Sequence, residues 1–314
     1  MEMKTLDYVK AGLIIIVLIF GLVFALTATN IIHCQSIGQG WCKMYWSIVG
    51  QPKVLVVFGF DGIGNAEKLV SILSDKDVIG IRAQLQNIDY IRTSSYLKNY
   101  KMVIVTQAKT MSSDQIKIFN DYASTGILIW TGDAGTSSVP TDKKLSDYNI
   151  DNPDPWTRVT SNEEIIQFGK DTLSAQYIEN YCNYVNCADY HKDFAGFLKA
   201  DPNSTIANGI PNKQQFYGDF ALVKLVNNTS TTMDISLDRE GVNIIGKNPK
   251  DTKGLGTVFP FMIRSGVGKN VVYLATPIEN LIDSKDPFYD TSNTGNNLPT
   301  TIRKLYQDYF GVAK

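Results

Sequence analysis

Twenty-two consecutive residues without a charge, Ala11 to Ile32, stand near the start of the chain and constrain where everything after them can fold. As an α-helix the run is long enough for a hydrocarbon core of about 30 Å. It holds twelve Leu, Ile, Val and Phe residues between Leu13 and Leu26. At roughly −0.3 to −0.6 kcal/mol each on an insertion scale, these favour the membrane by about −4 to −7 kcal/mol. A membrane-spanning helix or a secretory signal carries such a run. Small-residue pairs at cleavage positions are poor, Leu26 with Ala28 or Ala25 with Thr27, so the sequence predicts an uncleaved anchor over residues 11–32. Lys4 and Lys10 precede the run and no Lys or Arg follows until Lys43. That asymmetry puts residues 1–10 in the cytoplasm and the bulk of the chain outside it, on a single-pass membrane protein.

An outside location agrees with the cysteines. Cys34 with Cys42 and Cys182 with Cys187 form two close pairs. An even count in an exported chain points to disulfides, and the short spacings favour these two local bridges among the three possible connectivities. Each would stabilise by about 2 to 3 kcal/mol on the loop-entropy model. Neither spacing matches a common zinc pattern. Three N-glycosylation sequons, at Asn203, Asn227 and Asn228, fall in polar stretches that read as surface loop. With 30 Lys+Arg against 31 Asp+Glu, net charge −1, there is no electrostatic reason to expect a nucleic-acid partner.

A juxtamembrane segment, residues 33–52, carries Trp41, Tyr45 and Trp46. Aromatics at this distance from a membrane helix sit in the interfacial belt or pack on the outer domain, and the sequence leaves both open. From residue 53 to 314 the pattern is α/β. Short β-branched runs (VLVVFGF, IGIRAQL, MVIVTQA, ILIWT) alternate with amphipathic stretches (NAEKLVSILSD, SSDQIKIFNDYAST), which predicts a mostly parallel sheet buried on both faces by helices. In the second helix Ser112 or Ser113 caps, Asp114 complements the dipole, and Ile116, Phe119, Tyr122 and Ala123 share one face. Residues 136–216 read as a loop and helical insertion, with a helix from Asn162 ending near Cys182. The sheet is expected to resume with FALVKLV and MDISL, then a hairpin through the Gly-rich turn SGVGKN. A last helix, LPTTIRKLYQDYF, closes the domain.

KVLVVFGFDG, then YKMVIVTQAKTMSSDQIKIFNDYASTGILIWTGDAG, then GVGKNVVYLATPIENL, together resemble the class I glutamine amidotransferase-like superfamily, and most of all its extracytoplasmic, membrane-associated members. The resemblance covers about half the chain and implies a flavodoxin-like sheet. In the family's enzymes the strand corresponding to ILIWT ends in a G-x-C-x-G elbow, whose sharp turn lifts a thiolate beside backbone N–H donors. Laid over this chain the five positions are Thr131-Gly132-Asp133-Ala134-Gly135, with Asp133 where the cysteine would be. The companion His-x-Glu is absent, since the two histidines are His33 and His191. The resemblance therefore implies a non-catalytic member.

For Asp133 the sequence leaves three readings. It is a turn residue satisfying backbone donors; or it joins Asp61 and Glu279 at the carboxyl edge of the sheet to hold a ligand or a Ca²⁺ ion; or it is the nucleophile of a hydrolase, which would need His191 or another base nearby. GFDGIG, residues 59–64, looks like a phosphate-cradling loop but matches no nucleotide motif, and a tight strand-to-helix turn explains it better. No cofactor is expected beyond that Ca²⁺. The expected function is a non-enzymatic binding or scaffolding module of a cell envelope, of archaeal type, whose partners are the membrane and other envelope or membrane proteins. An extracytoplasmic hydrolase using Asp133 and a cation- or glycan-binding receptor domain are the alternatives.

Overall fold

The computed structural model describes residues 2–28, 37, 41, 44–45, 47–48, 54–75, 78–150, 153–184, 196–201, 214–216, 218–226, 229–237, 256–281 and 305–306. It divides into two units, Met1–Gln51 and Pro52–Lys314. The first is built on α1 (Glu2–Ala28). Residues 29–32 of the expected span lie outside the described residues, and among the described residues no helix is long and apolar enough to cross a membrane. Of the juxtamembrane aromatics, Trp41 and Tyr45 pack on α1: their ring centroids lie 5.2 Å from those of Phe20 and Phe24 respectively. Trp46 is outside the described residues.

In the second unit the β-branched runs become strands β1 (Val54–Asp61), β2 (Ala83–Asn87), β3 (Met102–Ala108) and β5 (Ile127–Thr131), with the short β4 (Thr110–Met111) beside them. Helices α2 (Ala66–Ser74), α3 (Ser94–Leu97) and α4 (Ser113–Ala123) alternate with these strands. The later strands are β6 (Ser137–Ser138), β7 (Thr157–Val159), β8 (Ile165–Gln167), β9 (Ala175–Asn180), β10 (Gly196–Ala200) and β11 (Gln214–Phe216). β12 (Ala221–Leu225), β13 (Thr231–Leu237), β14 (Val258–Ser265) and β15 (Val271–Leu274) follow.

Nine strands form one sheet in the order β11-β10-β13-β14-β15-β5-β3-β1-β2. From β15 to β2 all neighbours are parallel; from β15 to β11 they are antiparallel, so that only β14 and β10 run against the other strands. Counted along the chain, the parallel half runs second, first, third, fourth, fifth. Its inner strands β3, β5 and β15 are buried nearly throughout, which is why they read as unbroken apolar runs rather than alternating ones. α4 starts with a full capping box: Ser112 Oγ accepts from Gln115 N at 3.2 Å and Gln115 Oε1 accepts from Ser112 N at 2.8 Å. Ile116, Phe119, Tyr122 and Ala123 are buried on the face that the sequence predicts.

Three expectations fail. The helix expected from Asn162 is instead β8, one π-helical turn over Phe168–Leu173, and β9. Helical turns occur only there and in a 3-10 turn over Tyr181–Asn183; Ser174 ends the first in a left-handed conformation, φ 56°. A Cβ on Gly169 within it would collide with Asp154 Oδ2 and Ala175 O. Beyond it burial alternates, Ala175 and Tyr177 in, Gln176 and Ile178 out, as a strand requires. Second, FALVKLV does not rejoin the large sheet: among the described residues β12 pairs with β9 alone. Third, residues 136–216 are more than a loop and helical insertion, because β10 and β11 extend the large sheet at its antiparallel edge. Of the expected closing helix only Leu305 and Tyr306 are described, both buried.

Candidate functional site at the carboxyl edge of the sheet

Right-handed crossovers bring the carboxyl ends of β1, β3 and β5 to one edge, and the Asp133 turn leaves the sheet there. Gly132 (φ 57°) and Gly135 (φ 69°) take the left-handed conformations that make the turn tight. Every carbonyl from Gly132 to Gly135 then receives a side-chain donor. Tyr273 O–H donates to Gly132 O at 3.0 Å and Thr136 Oγ1 to Asp133 O at 2.8 Å. Trp130 and Trp156 both donate their indole N–H to Ala134 O at 2.8 Å, and Arg158 Nη2 donates to Gly135 O at 2.8 Å. Trp156 and Arg158 come from the insertion, so the turn is where the insertion is fastened to the sheet.

Asp133 is 1% exposed. Its Oδ1 accepts from Ile63 N at 2.8 Å, its Oδ2 from Asn180 Nδ2 at 2.9 Å, and the half-exposed Lys109 ammonium stands 3.7 Å from Oδ2. Ala134 N–H, placed where an elbow enzyme offers an oxyanion donor, is turned to Thr131 O at 3.2 Å, and Gly135 N–H donates to Ala108 O at 2.8 Å. Neither the carboxylate nor its neighbouring amides are presented to a substrate. His33 and His191 lie outside the described residues.

Asp61 and Glu279 do not join Asp133. Asp61 binds Thr110, taking its N–H at 3.1 Å and its hydroxyl at 2.5 Å. Glu279, 1% exposed, accepts through Oε1 from Asn65 N at 3.1 Å and Thr106 Oγ1 at 2.8 Å; burial raises its pKa and Oε2 has no hydrogen-bond partner among the described residues. Among the described residues no three His, Cys, Asp or Glu side chains gather as metal ligands would. The three carboxylates of the expected Ca²⁺ site are thus each engaged by different donors. The contacts of GFDGIG and the residues after it fit a strand-to-helix turn. Ile63 N–H goes to Asp133, Asn65 N–H to Glu279, Ala66 N–H to Gln107 Oε1 (3.3 Å) and Lys68 N–H to Asn65 Oδ1 (2.9 Å), so four amides of this turn and helix start are bonded within the protein.

What sequence reading missed is the polar cluster that the insertion lays over Asp133. Asn180 on β9 reaches it directly, and Tyr177 O–H donates to Asn180 Oδ1 at 2.8 Å with Glu179 Oε1 at 3.2 Å. Burial, then the charges of Glu179 and Asp133, push the Tyr177 phenol well above its ordinary range. Asp219, just before β12, accepts from Cys182 N and Phe220 N at 2.9 Å; burial nevertheless raises its pKa to about 6, with Asp133 and Glu179 adding to the shift. Asp154 is raised to about 6 by burial against the lowering effect of its bonds from Trp156 N and Tyr177 N. The alternation in AQYIEN was the one local signal that could have placed Tyr177 and Asn180 on the inner side of a strand.

Cys182 is disulfide-bonded. Cys34, Cys42 and Cys187 lie outside the described residues, as do Asn203, Asn227 and Asn228. A cleft of about 650 Å³ lined by Lys98, Lys101, Tyr122, Thr125 and Asn270 sits at the amino ends of β3, β5 and β15, the opposite edge from Asp133.

No protein-family model and no curated protein matches the chain. Among solved structures it is similar to a cold-adapted β-galactosidase from Rahnella sp. R3, at 10% identity and TM-score 0.47 over 87% of this chain and 33% of that one. It is similar to a ThuA-like protein from Bacteroides uniformis, at 12% identity and TM-score 0.47 over 80% and 90%. A third similarity is to the N-terminal domain of mmIFT52, at 10% identity and TM-score 0.43 over 83% and 98%. The chain spans about a third of the length of the β-galactosidases it matches.

Proposed function

We propose that this chain is a non-catalytic binding module, carried outside the cytoplasm by an N-terminal membrane anchor, in which an amidotransferase-like elbow serves as a structural staple. One observation carries the non-catalytic reading: Asp133 is 1% exposed with both oxygens bonded, and the N–H that follows it is spent within the turn. A carboxylate nucleophile needs an oxygen open to substrate and a base; among the described residues Asp133 faces two donors and a lysine. The strand order of the parallel half, that of flavodoxin-like sheets, supports the amidotransferase-like reading. For the anchor the support is the sequence of residues 11–32 and the exposed apolar side chains of α1, Leu13 to Leu22.

The test is twofold. Cross-linking in native membranes followed by mild solubilisation is expected to recover the chain with other envelope proteins; a lone monomer would refute the module. Turnover of ester, amide or glycoside substrates, abolished by Asp133→Asn, would refute the non-catalytic assignment. A glycan-binding reading is favoured by Phe60, 84% exposed at the carboxyl end of β1 next to Asp61, and Tyr90, 69% exposed just beyond β2. Exposed aromatic faces beside a carboxylate suit sugar rings. A glycan array on which Phe60→Ala changes nothing would remove it.

A further inference from the structure

Lys109, Asp133 and Asn180 meet at a single atom. Asp133 Oδ2 lies 3.7 Å from the Lys109 ammonium and 2.9 Å from the side-chain amide nitrogen of Asn180. The carbonyl of that same amide, Asn180 Oδ1, accepts from Tyr177 O–H at 2.8 Å. Burial pushes the phenol's pKa up, so it stays a donor. The lysine is held in place by its surroundings. Lys109 N–H donates to Asp61 O at 3.1 Å and Lys109 O accepts from Ser137 N at 3.0 Å, which fixes its backbone. Gly62, φ 97°, leaves room for the approach: a Cβ on it would stand 2.9 Å from Asp133 Oδ1 and 3.0 Å from Lys109 Cβ. Asp133, Asn180 and Tyr177 are buried, whereas the Lys109 side chain is 38% exposed. Water is therefore kept from the carboxamide, while a small leaving group has a way out along the lysine.

An amine, a proton acceptor, a carboxamide and a donor to its carbonyl oxygen are the parts of an acyl transfer. We propose that Lys109 and Asn180 join through an intramolecular isopeptide bond, with Asp133 carrying the protons and Tyr177 holding the carbonyl oxygen. This rests on the staple proposed above and makes it covalent; it happens once in each chain and turns over no substrate. The bond formed is Lys109 Nζ to Asn180 Cγ, and the bond broken is Asn180 Cγ to Nδ2. Asp133 takes a proton from the ammonium, the freed lone pair adds to Cγ, and the carbonyl pair moves onto Oδ1, where Tyr177 O–H meets the developing charge. As the carbonyl re-forms, Nδ2 leaves as ammonia with one lysine proton passed on by Asp133, and takes up the second as ammonium. The third lysine proton stays on the new amide and Asp133 is a carboxylate again, with no change of oxidation state. Holding both nitrogens on one oxygen makes the attack intramolecular, which is where its rate comes from.

The full chain, purified from a host that adds no glycans, is reduced, digested with trypsin and read by mass spectrometry. Trypsin does not cut after an acylated lysine. The expected product is a branched peptide joining residues 102–117 to residues 171–192, lighter than the two together by one ammonia, about 17 Da. Lys109→Arg and Asp133→Ala should each abolish it. Tyr177→Phe should slow its appearance at least about tenfold in chain refolded from urea, as loss of one oxyanion donor does. Linear peptides 102–109 and 171–192 alone from the folded parent overturn the bond and leave the hydrogen-bonded staple standing. A branched peptide lighter by one water puts the bond on Asp133, and a branched peptide that persists in Asp133→Ala takes the protons away from it; either overturns the proposal. In the Lys109→Arg background the site keeps its hydrogen bonds without the cross-link. Asp133→Asn that costs no stability there removes the staple and leaves the bond to the mass measurement on the parent.

Discussion

Replacing Asp133 by Asn separates a structural carboxylate from a reactive one. Asp133 accepts twice, from Ile63 N and from Asn180 Nδ2. An asparagine there has one acceptor and must point its own NH₂ at one of the two donors. In this dry site the lost pairing leaves a buried donor facing a donor, costing about 1 to 3 kcal/mol. Rotating the Asn180 amide relieves the clash only by turning its NH₂ toward Tyr177 O–H, which must then accept and send its proton to Glu179 Oε1, now 3.2 Å away. Some cost therefore survives relaxation, and we expect about 2 kcal/mol. With a denaturant slope of about 3 kcal/mol per M, that lowers the urea midpoint by roughly 0.7 M.

Combining Asp133→Asn with Asn180→Asp restores the pattern. An aspartate at position 180 can accept both from the new amide and from Tyr177 O–H, while the asparagine carbonyl keeps Ile63 N–H. The double variant is expected to regain at least about 1 kcal/mol over the sum of the single changes, the coupling that neighbours in one network show. It would not regain all, because the charge moves away from Lys109 and toward Glu179. Urea unfolding of the four proteins, followed by near-ultraviolet circular dichroism that reports Trp130 and Trp156, measures the cycle. Additive losses would refute the staple, as would an Asp133→Asn variant as stable as the parent.

The pH dependence of stability should carry the mark of Asp219. Its folded pKa of about 6 lies above the unfolded 3.8, so the folded state holds the extra proton between those values and stability falls as pH rises from about 4 to 6. That gap corresponds to about 3 kcal/mol; Asp219→Asn should be more stable than the parent at pH 8, equal to it at pH 4, and an equal shift at both would contradict the assignment. Asp154, raised to about 6 by burial, slopes the same way, and Asp154→Asn should flatten the same window in a pH series of melting temperatures. Gly135→Ala puts a Cβ 2.7 Å from Ile116 Cδ1 and 2.9 Å from Trp130 Cζ2 at φ 69°, and should cost about 1 to 3 kcal/mol in urea unfolding. Glu279→Gln replaces a carboxyl whose ionisation burial disfavours, while Oε1 keeps Asn65 N and Thr106; the thermal midpoint at pH 8 should hold or rise, and a fall of several degrees would count against burial as the dominant effect.

Local chemistry made half of this fold legible. The Ser112 cap, the stripe through Phe119 and the unbroken runs of β3 and β5 are decided by residues within a few positions of one another, and each was readable from the sequence. The insertion was not, because its partners are distant. Ile165, Ile166 and Phe168 have a spacing that fits a helix, yet β9 takes its conformation from pairing with β12, which begins some forty residues later. Asp133 and Asn180 meet across forty-seven residues, and Arg158 reaches Gly135 across twenty-three. The turn itself was visible in GDAG; what faces it was written elsewhere in the chain.

That separation bears on what the turn is for. A tight strand-end turn exposes one side chain and several amides, and an enzyme uses them on a substrate. Here the insertion supplies the acceptors' donors instead: Asn180 to the side chain, Trp156 and Arg158 to the carbonyls. Each contact is buried, so none can be given up singly without leaving an unpaired polar group. Moving β9 away from the sheet would take the Asn180 donor from Asp133, and moving β7 with the residue before it would take one of the two donors of Ala134 O and the donor of Gly135 O. On the function proposed above, a binding surface on the insertion would be held as one piece with the sheet, and a partner there would meet a preorganised face rather than a loop that must be ordered on contact.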